Sequence, residues 1–128
     1  MSATARAREL ATVAGRAAAD KIAESVVGLD VSGQMPLTDI FLIVSADNER
    51  QVASIVDAVE EALRDLDAKP LRREGAREGR WVLLDYGDIV VHVQHEEERA
   101  YYELERLWKD CPVVDLGLDA PGGEGATP

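Results

Sequence analysis

At 128 residues, 46% of them hydrophobic and 30% charged, the chain is expected to form one soluble globular domain with a single core. It has no run of about 18 apolar residues and no apolar signal core near its start, and Cys111 is its one cysteine, which excludes a membrane span, a secretory leader and an internal disulfide framework and fits a reducing, cytoplasmic setting. The net charge of −11, of which Asp110, Asp115, Asp119 and Glu124 contribute four, leaves −7 on the rest of the chain; it argues against sequence-specific nucleic-acid binding and favours a basic protein partner, although acidity can also serve solubility alone.

Residues 3–27 read as a helix. Leu10, Ala14, Ala18, Ile22 and Val26 stand four apart with Val13 and Ala17 beside them, and Gly28 is placed to stop the helix. Leu29-Asp30-Val31 is a short strand candidate. Ser32–Pro36 reads as a turn. Leu37–Val44 is a strand whose almost wholly apolar middle points to burial on both faces; Asp39 interrupts it, expected to bond nearby backbone. Asn48 and Gln51 form a capping-box pattern ahead of Val52, Ile55, Val56, Val59, Leu63 and Leu66, an amphipathic helix facing the core. Lys69–Glu74 is a charged edge-strand candidate, and Gly75–Gly79 a loop.

Trp81–Leu84 and Ile89–Val93 flank Asp85-Tyr86-Gly87-Asp88 and read as a hairpin, with Gly87 free to take a positive φ. A Tyr86-Gly87 loop pairs Asp85 with Asp88, Leu84 with Ile89, Leu83 with Val90, Val82 with Val91 and Trp81 with His92. Val82, Leu84, Ile89 and Val91 then form a core face, while Trp81, Leu83, Asp85, Asp88, Val90 and His92 form an amphipathic one. Glu96–Lys109 reads as one last helix with Tyr101, Leu104, Leu107 and Trp108 inward, and Pro112 ends it. The domain is therefore set at residues 1–111, with 112–128 an acidic, Gly- and Pro-rich disordered tail. The order α-β-β-α-β-β-β-α implies an α/β (α+β) fold, a mixed sheet of about five strands packed by helices.

Chemistry is sparse. No glycine pattern for phosphate precedes a helix, and no serine is placed as an activated nucleophile. His92 and His95 form H-x-x-H near Asp85 and Asp88, but residues three apart on a strand point to opposite faces, so the metal signal is weak. Asp85 and Asp88 fit turn roles. His92 reads equally as a satisfied, partly buried histidine or as part of a binding face. Trp81 on an outer sheet face belongs to a contact surface unless a helix covers it.

Two blocks resemble the bacterial ribosomal silencing factors, the Iojap-like family. The first runs from Leu29-Asp30-Val31 through Thr38-Asp39 and Phe41 to Glu49-Arg50-Gln51-Val52. The second is Trp81–Asp88, then Val91-His92-Val93, Arg99, Tyr102, Leu104-Glu105 and Leu107-Trp108. The resemblance spans roughly residues 7–109; Gln94 departs from it where an apolar residue is usual, Ala46-Asp47 where a glycine is common, and nothing past about residue 112 matches. The resemblance implies a nucleotidyltransferase-like fold without catalytic residues, no enzyme activity and no cofactor or metal. It implies binding to ribosomal protein fourteen of the large subunit, which blocks joining of the small subunit and represses translation when nutrients are scarce, and a homodimer when free. The partner-binding residues it points to are Trp81, Leu83, Asp85, Tyr86, Asp88, His92 and Tyr102. Competing readings are a large-subunit assembly factor and a degenerate nucleotidyltransferase or metal hydrolase using Asp85, Asp88 and His92.

Overall fold

The computed structural model describes residues 2–118, apart from the side chains of Tyr101, Tyr102 and Glu105. Helix α1 spans Ala5–Asp20, capped by Thr4, whose Oγ1 accepts the Ala7 N–H at 3.1 Å. Leu10, Ala14 and Ala18 are buried as the spacing predicts. The helix stops seven residues short of the expected end. Ile22 sits at φ 60°, and the Gln51 side-chain amide donates to the Lys21 and Ile22 carbonyls at 3.0 and 2.6 Å. Val26, Val27 and Gly28 belong instead to strand β1, Ser25–Asp30. Two β-branched residues pair there with Val44 and Ile43 of the neighbouring strand, which outweighs continuation of the helical stripe.

Strand β2, Ile40–Ala46, starts three residues after the expected Leu37, which is exposed, and is buried at every position, as its apolar run requires. Asp39 bonds backbone, but distant backbone: its Oδ2 accepts the Thr4 N–H at 2.9 Å. Helix α2, Glu49–Arg64, starts at Asn48, whose side chain accepts the Gln51 N–H at 2.8 Å. There follow β3 (Arg72–Glu74), β4 (Trp81–Asp85), β5 (Ile89–His95), α3 (Glu96–Tyr102), α4 (Leu104–Leu107) and β6 (Val113–Val114). The sheet has six strands in the order β3-β4-β5-β2-β1-β6, with β2 and β5 parallel and the other neighbours antiparallel.

Two cores result. On one face α1 and α2 cover Ile40, Leu42, Val44, Val82, Leu84, Ile89, Val91 and Val93. On the other, Leu29, Val31, Phe41, Ile43 and Val90 pack with Leu104 and Cys111, and with the half-buried Trp81, Leu83 and Trp108.

Three further expectations are corrected. The hairpin pairs Trp81 with Gln94, Val82 with Val93, Leu83 with His92, Leu84 with Val91 and Asp85 with Val90, a register two residues from the expected one. The loop is Gly87-Asp88, because Gly87 at φ 83° lets the Asp88 N–H reach the Tyr86 carbonyl at 3.0 Å and the Tyr86 N–H bond the Ile89 carbonyl at 2.9 Å. A two-residue shift keeps every side chain on its expected face. The last helix divides at Glu103, which adopts φ 50°, so Leu107 is exposed while Leu104 is buried. The tail does not begin at residue 112. Val113–Val114 pairs with Leu29 and Gly28, and Val114 and Leu116 are buried in the α1–α2 core. Leu116 fills space that Gly15 and Gly28 leave open, lying 3.3 Å from where either Cβ would stand. Residues 119–128, the rest of the expected tail, lie outside the described residues.

Candidate functional site: the open face of strands β3 and β4

The second sheet face is covered unevenly. α3 packs against β5 and β2, and β4 and β3 lie on the other side of β5 from β2. Alternation puts Trp81, Leu83 and Asp85 of β4 on this side, and the register adds Arg72, opposite Asp85, and Glu74, opposite Leu83. Trp81 and Leu83 are only half-buried, whereas their neighbours Val82 and Leu84 are closed in the other core. Gly75, at φ 83°, ends β3 against β4 so closely that any Cβ there would strike the Trp81 carbonyl. The backbone under the indole is thereby fixed.

Trp81 is also held at its ring. Its Nε1–H donates to His92 Nδ1 at 3.2 Å. His92 stands edge-to-face on Phe41 with centroids 5.0 Å apart, and Phe41 meets Trp108 in the same way at 5.2 Å. This line of rings crosses the sheet from the open β4 face to the end of α4. Because Nδ1 accepts, His92 is neutral with its proton on Nε2. Burial holds its pKa down to about 4.

The charges are arranged around the apolar pair. Arg72 bridges Glu74 at 3.2 Å and Asp85 at 3.4 Å. The other Asp85 oxygen accepts the Gly87 N–H at 2.8 Å, so this carboxylate shapes the turn as expected. Asp88 is exposed at the tip, and its carbonyl accepts the Asp39 N–H at 2.9 Å. The face thus offers an indole, an aliphatic side chain and alternating charges. That combination suits protein docking; it carries no activated nucleophile.

The expected site residues are not all brought together. Trp81, Leu83 and Asp85 share the open face, with Asp88 at its end. Tyr86 lies in the opposite core, 8% exposed, with its hydroxyl unbonded and its pKa pushed up to about 12 by burial. His92 is 6% exposed and supports Trp81 from behind. Tyr102 closes α3, with its side chain outside the described residues. His95 faces away from His92 and accepts the Glu97 N–H at 3.1 Å as the cap of α3. Among the described residues no three His, Cys, Asp or Glu side chains converge to hold a metal ion. Arg72 and Glu74 escaped the sequence reading, because only the β3–β4 register places them beside Leu83 and Asp85. The period-2 alternation of Arg72-Arg73-Glu74 was the available signal.

The family model for ribosomal silencing factor during starvation matches residues 4–126. Ribosomal silencing factor RsfS of Halalkalibacterium halodurans is 44% identical over 109 residues, covering 85% of this chain and 93% of that protein. A crystal structure of a Chromobacterium violaceum protein superposes with a TM-score of 0.76 at 33% identity, covering 79% of this chain and 84% of the other. A mouse protein named mitochondrial assembly of ribosomal large subunit protein 1 is 29% identical over 89 residues, covering 67% of this chain and 39% of that one. The match reaches well past residue 112, where the resemblance read from sequence had ended. With 44% identity across nearly the full length of a named silencing factor, and a family model that spans both sheet faces and β6, this chain belongs to the ribosomal silencing factor family.

Proposed function

We propose that this chain silences translation by docking its open β3–β4 face on ribosomal protein fourteen of the large subunit, so that the bound domain stands where the small subunit must join. The observation that carries this reading is Trp81, a half-buried indole held by His92 on the β4 side of the sheet face, beside the half-buried Leu83. Aromatic anchors of this kind dominate interface energies. A net charge of −11 complements a basic ribosomal partner. Leu83 extends the apolar contact, Asp85 and Asp88 meet Lys or Arg, and Tyr102, the last residue of α3, completes the proposed contact set. The chain acts in the cytoplasm without enzymatic activity or a cofactor, and pairs as a homodimer when free.

The test is binding of the isolated ribosomal protein to folded variants. Trp81→Ala is expected to weaken binding about thirtyfold, or about 2 kcal/mol, and to abolish inhibition of subunit joining. Unchanged affinity would move the interface to the outer side of α3 and α4. A second reading, a role in large-subunit assembly, is favoured by the name of the mouse relative. Co-sedimentation with precursor rather than mature large subunits would select it.

A further inference from the structure

The sheet carries a polar row beneath α3. Gln94 stands in register between Trp81 of β4 and Ser45 of β2, and Ser45 Oγ lies 2.7 Å from Ser25 Oγ on β1. His92 and Gln94, two apart on β5, point to one side, the side on which α3 packs against β5 and β2. Gln94 is 0% exposed, yet neither Oε1 nor Nε2 meets a protein hydrogen-bond partner, and neither does Nε2 of His92. Serines satisfy each other; the amide and the imidazole N–H do not. Burial of such groups opposes closure of whatever covers them.

The cover itself is short. α3 has seven residues and is broken from α4 by Glu103, a non-glycine residue in the left-handed region at φ 50°. Its first turn is tied by Arg80 to Glu97 at 2.8 Å and Glu98 at 3.3 Å, with the Arg80 side chain 34% exposed and water competing for the pairs. α2, by contrast, buries the aliphatic stripe Val52, Ile55, Val56, Val59 and Leu63 in a core that is aliphatic apart from Tyr86.

We propose that α3 is a detachable cover on the sheet, and that the buried amide of Gln94 sets how often it lifts. Lifting hydrates Gln94 and His92 and extends the open face from Trp81 and Leu83 across β5 towards Phe41. The device belongs to the free chain and does not depend on what docks there.

Native-state hydrogen exchange across low denaturant tests it, comparing the amides of residues 100–103 with those of residues 59–63 in α2. The α3 amides are expected to exchange through a local opening that is insensitive to denaturant, with protection at least about a hundredfold below that of α2. Gln94→Met keeps the side-chain length without the amide and should raise α3 protection about tenfold. Val91→Ala loosens the opposite core, so it should lower α2 protection and leave α3 protection unchanged. Overturning results are equal protection and equal denaturant dependence in α3 and α2, α3 protection that falls with α2 in Val91→Ala, or α3 protection that Gln94→Met does not move.

Discussion

The two faces of the sheet obey different rules. Beneath α1 and α2 the inward positions of β2, β4 and the Ile89–Val93 part of β5 are aliphatic, and the packing leaves Val91, Val93, Leu84 and Ile89 at 0% exposure. On the other face the same strands present rings, hydroxyls, an amide and an imidazole, and Trp81 and Leu83 of β4 stay half-buried. The first face can be continuous because nothing outside the chain has to reach it. The second gives up part of that closure, and with it the stability of an unbroken apolar layer, at Trp81 and Leu83, the residues proposed to dock. In that proposal stability and recognition fall on opposite sides of one set of strands, whose alternation keeps them separate.

The largest effect should come from breaking the closed face. Val91→Asp buries a carboxylate with no partner among aliphatic side chains and is expected to cost about 4 kcal/mol or more, enough to unfold most of the protein in a urea titration. A variant melting within a degree of the parent would show that this face is not the core.

Next is the chain past Pro112. Ending it there removes β6, the burial of Val114 and Leu116, and the filling of the space beside Gly15 and Gly28. Loss of two buried aliphatic side chains is expected to cost about 3 kcal/mol in chemical denaturation. A chain ended after Leu118 keeps these contacts and is the matched control. Equal stability of the two would remove β6 from the fold's necessary parts.

The open face carries its own signature in pH. His92 titrates near its ordinary 6.5 when unfolded and at about 4 when folded. Above pH 6.5 it is neutral in both states and contributes no pH dependence. Between 6.5 and 4 the unfolded chain binds the extra proton, so stability falls as pH falls, by about 2–3 kcal/mol at pH 4.5. Titrating carboxylates add to the total, so the measurement is the difference between parent and His92→Phe across this window. The variant should lose that part of the slope. An identical slope would mean that His92 is solvated in the native state.

The smallest effect sharpens the division between anchor and rim. Asp85→Asn with Asp88→Asn should change affinity for the ribosomal protein by less than about 1 kcal/mol, mainly through slower association at low salt. Asp85 is already committed to Arg72 and Gly87, so the free carboxylate that steers is Asp88. A loss as large as that of Trp81→Ala would place the charges, not the indole, at the centre of the contact.

Much of this was legible in the residues. The stripe Val52–Leu63, the Asn48 cap, the doubly buried β2 and the alternation along β4 and β5 are local patterns, and each fixes which side of its element faces apolar surroundings. That is why the hairpin faces were right while its register was off by two: alternation determines side, and only the bond geometry at Gly87 determines pairing. The family blocks around Trp81–Asp88 and Leu104–Trp108 were likewise readable without coordinates. What tertiary structure decided depends on neighbours distant in sequence. α1 ends at Asp20 because β2 offers Val26 and Val27 a ladder. Val113–Leu116 is ordered because Gly15 and Gly28, about a hundred residues away, leave room for Leu116. Tyr86 and His92 are withdrawn from the surface because α2 and the Phe41 ring lie over them. Sequence alone determined which residues prefer burial; only the packed sheet decided which of them obtained it, because burial is a property of the neighbours a side chain meets.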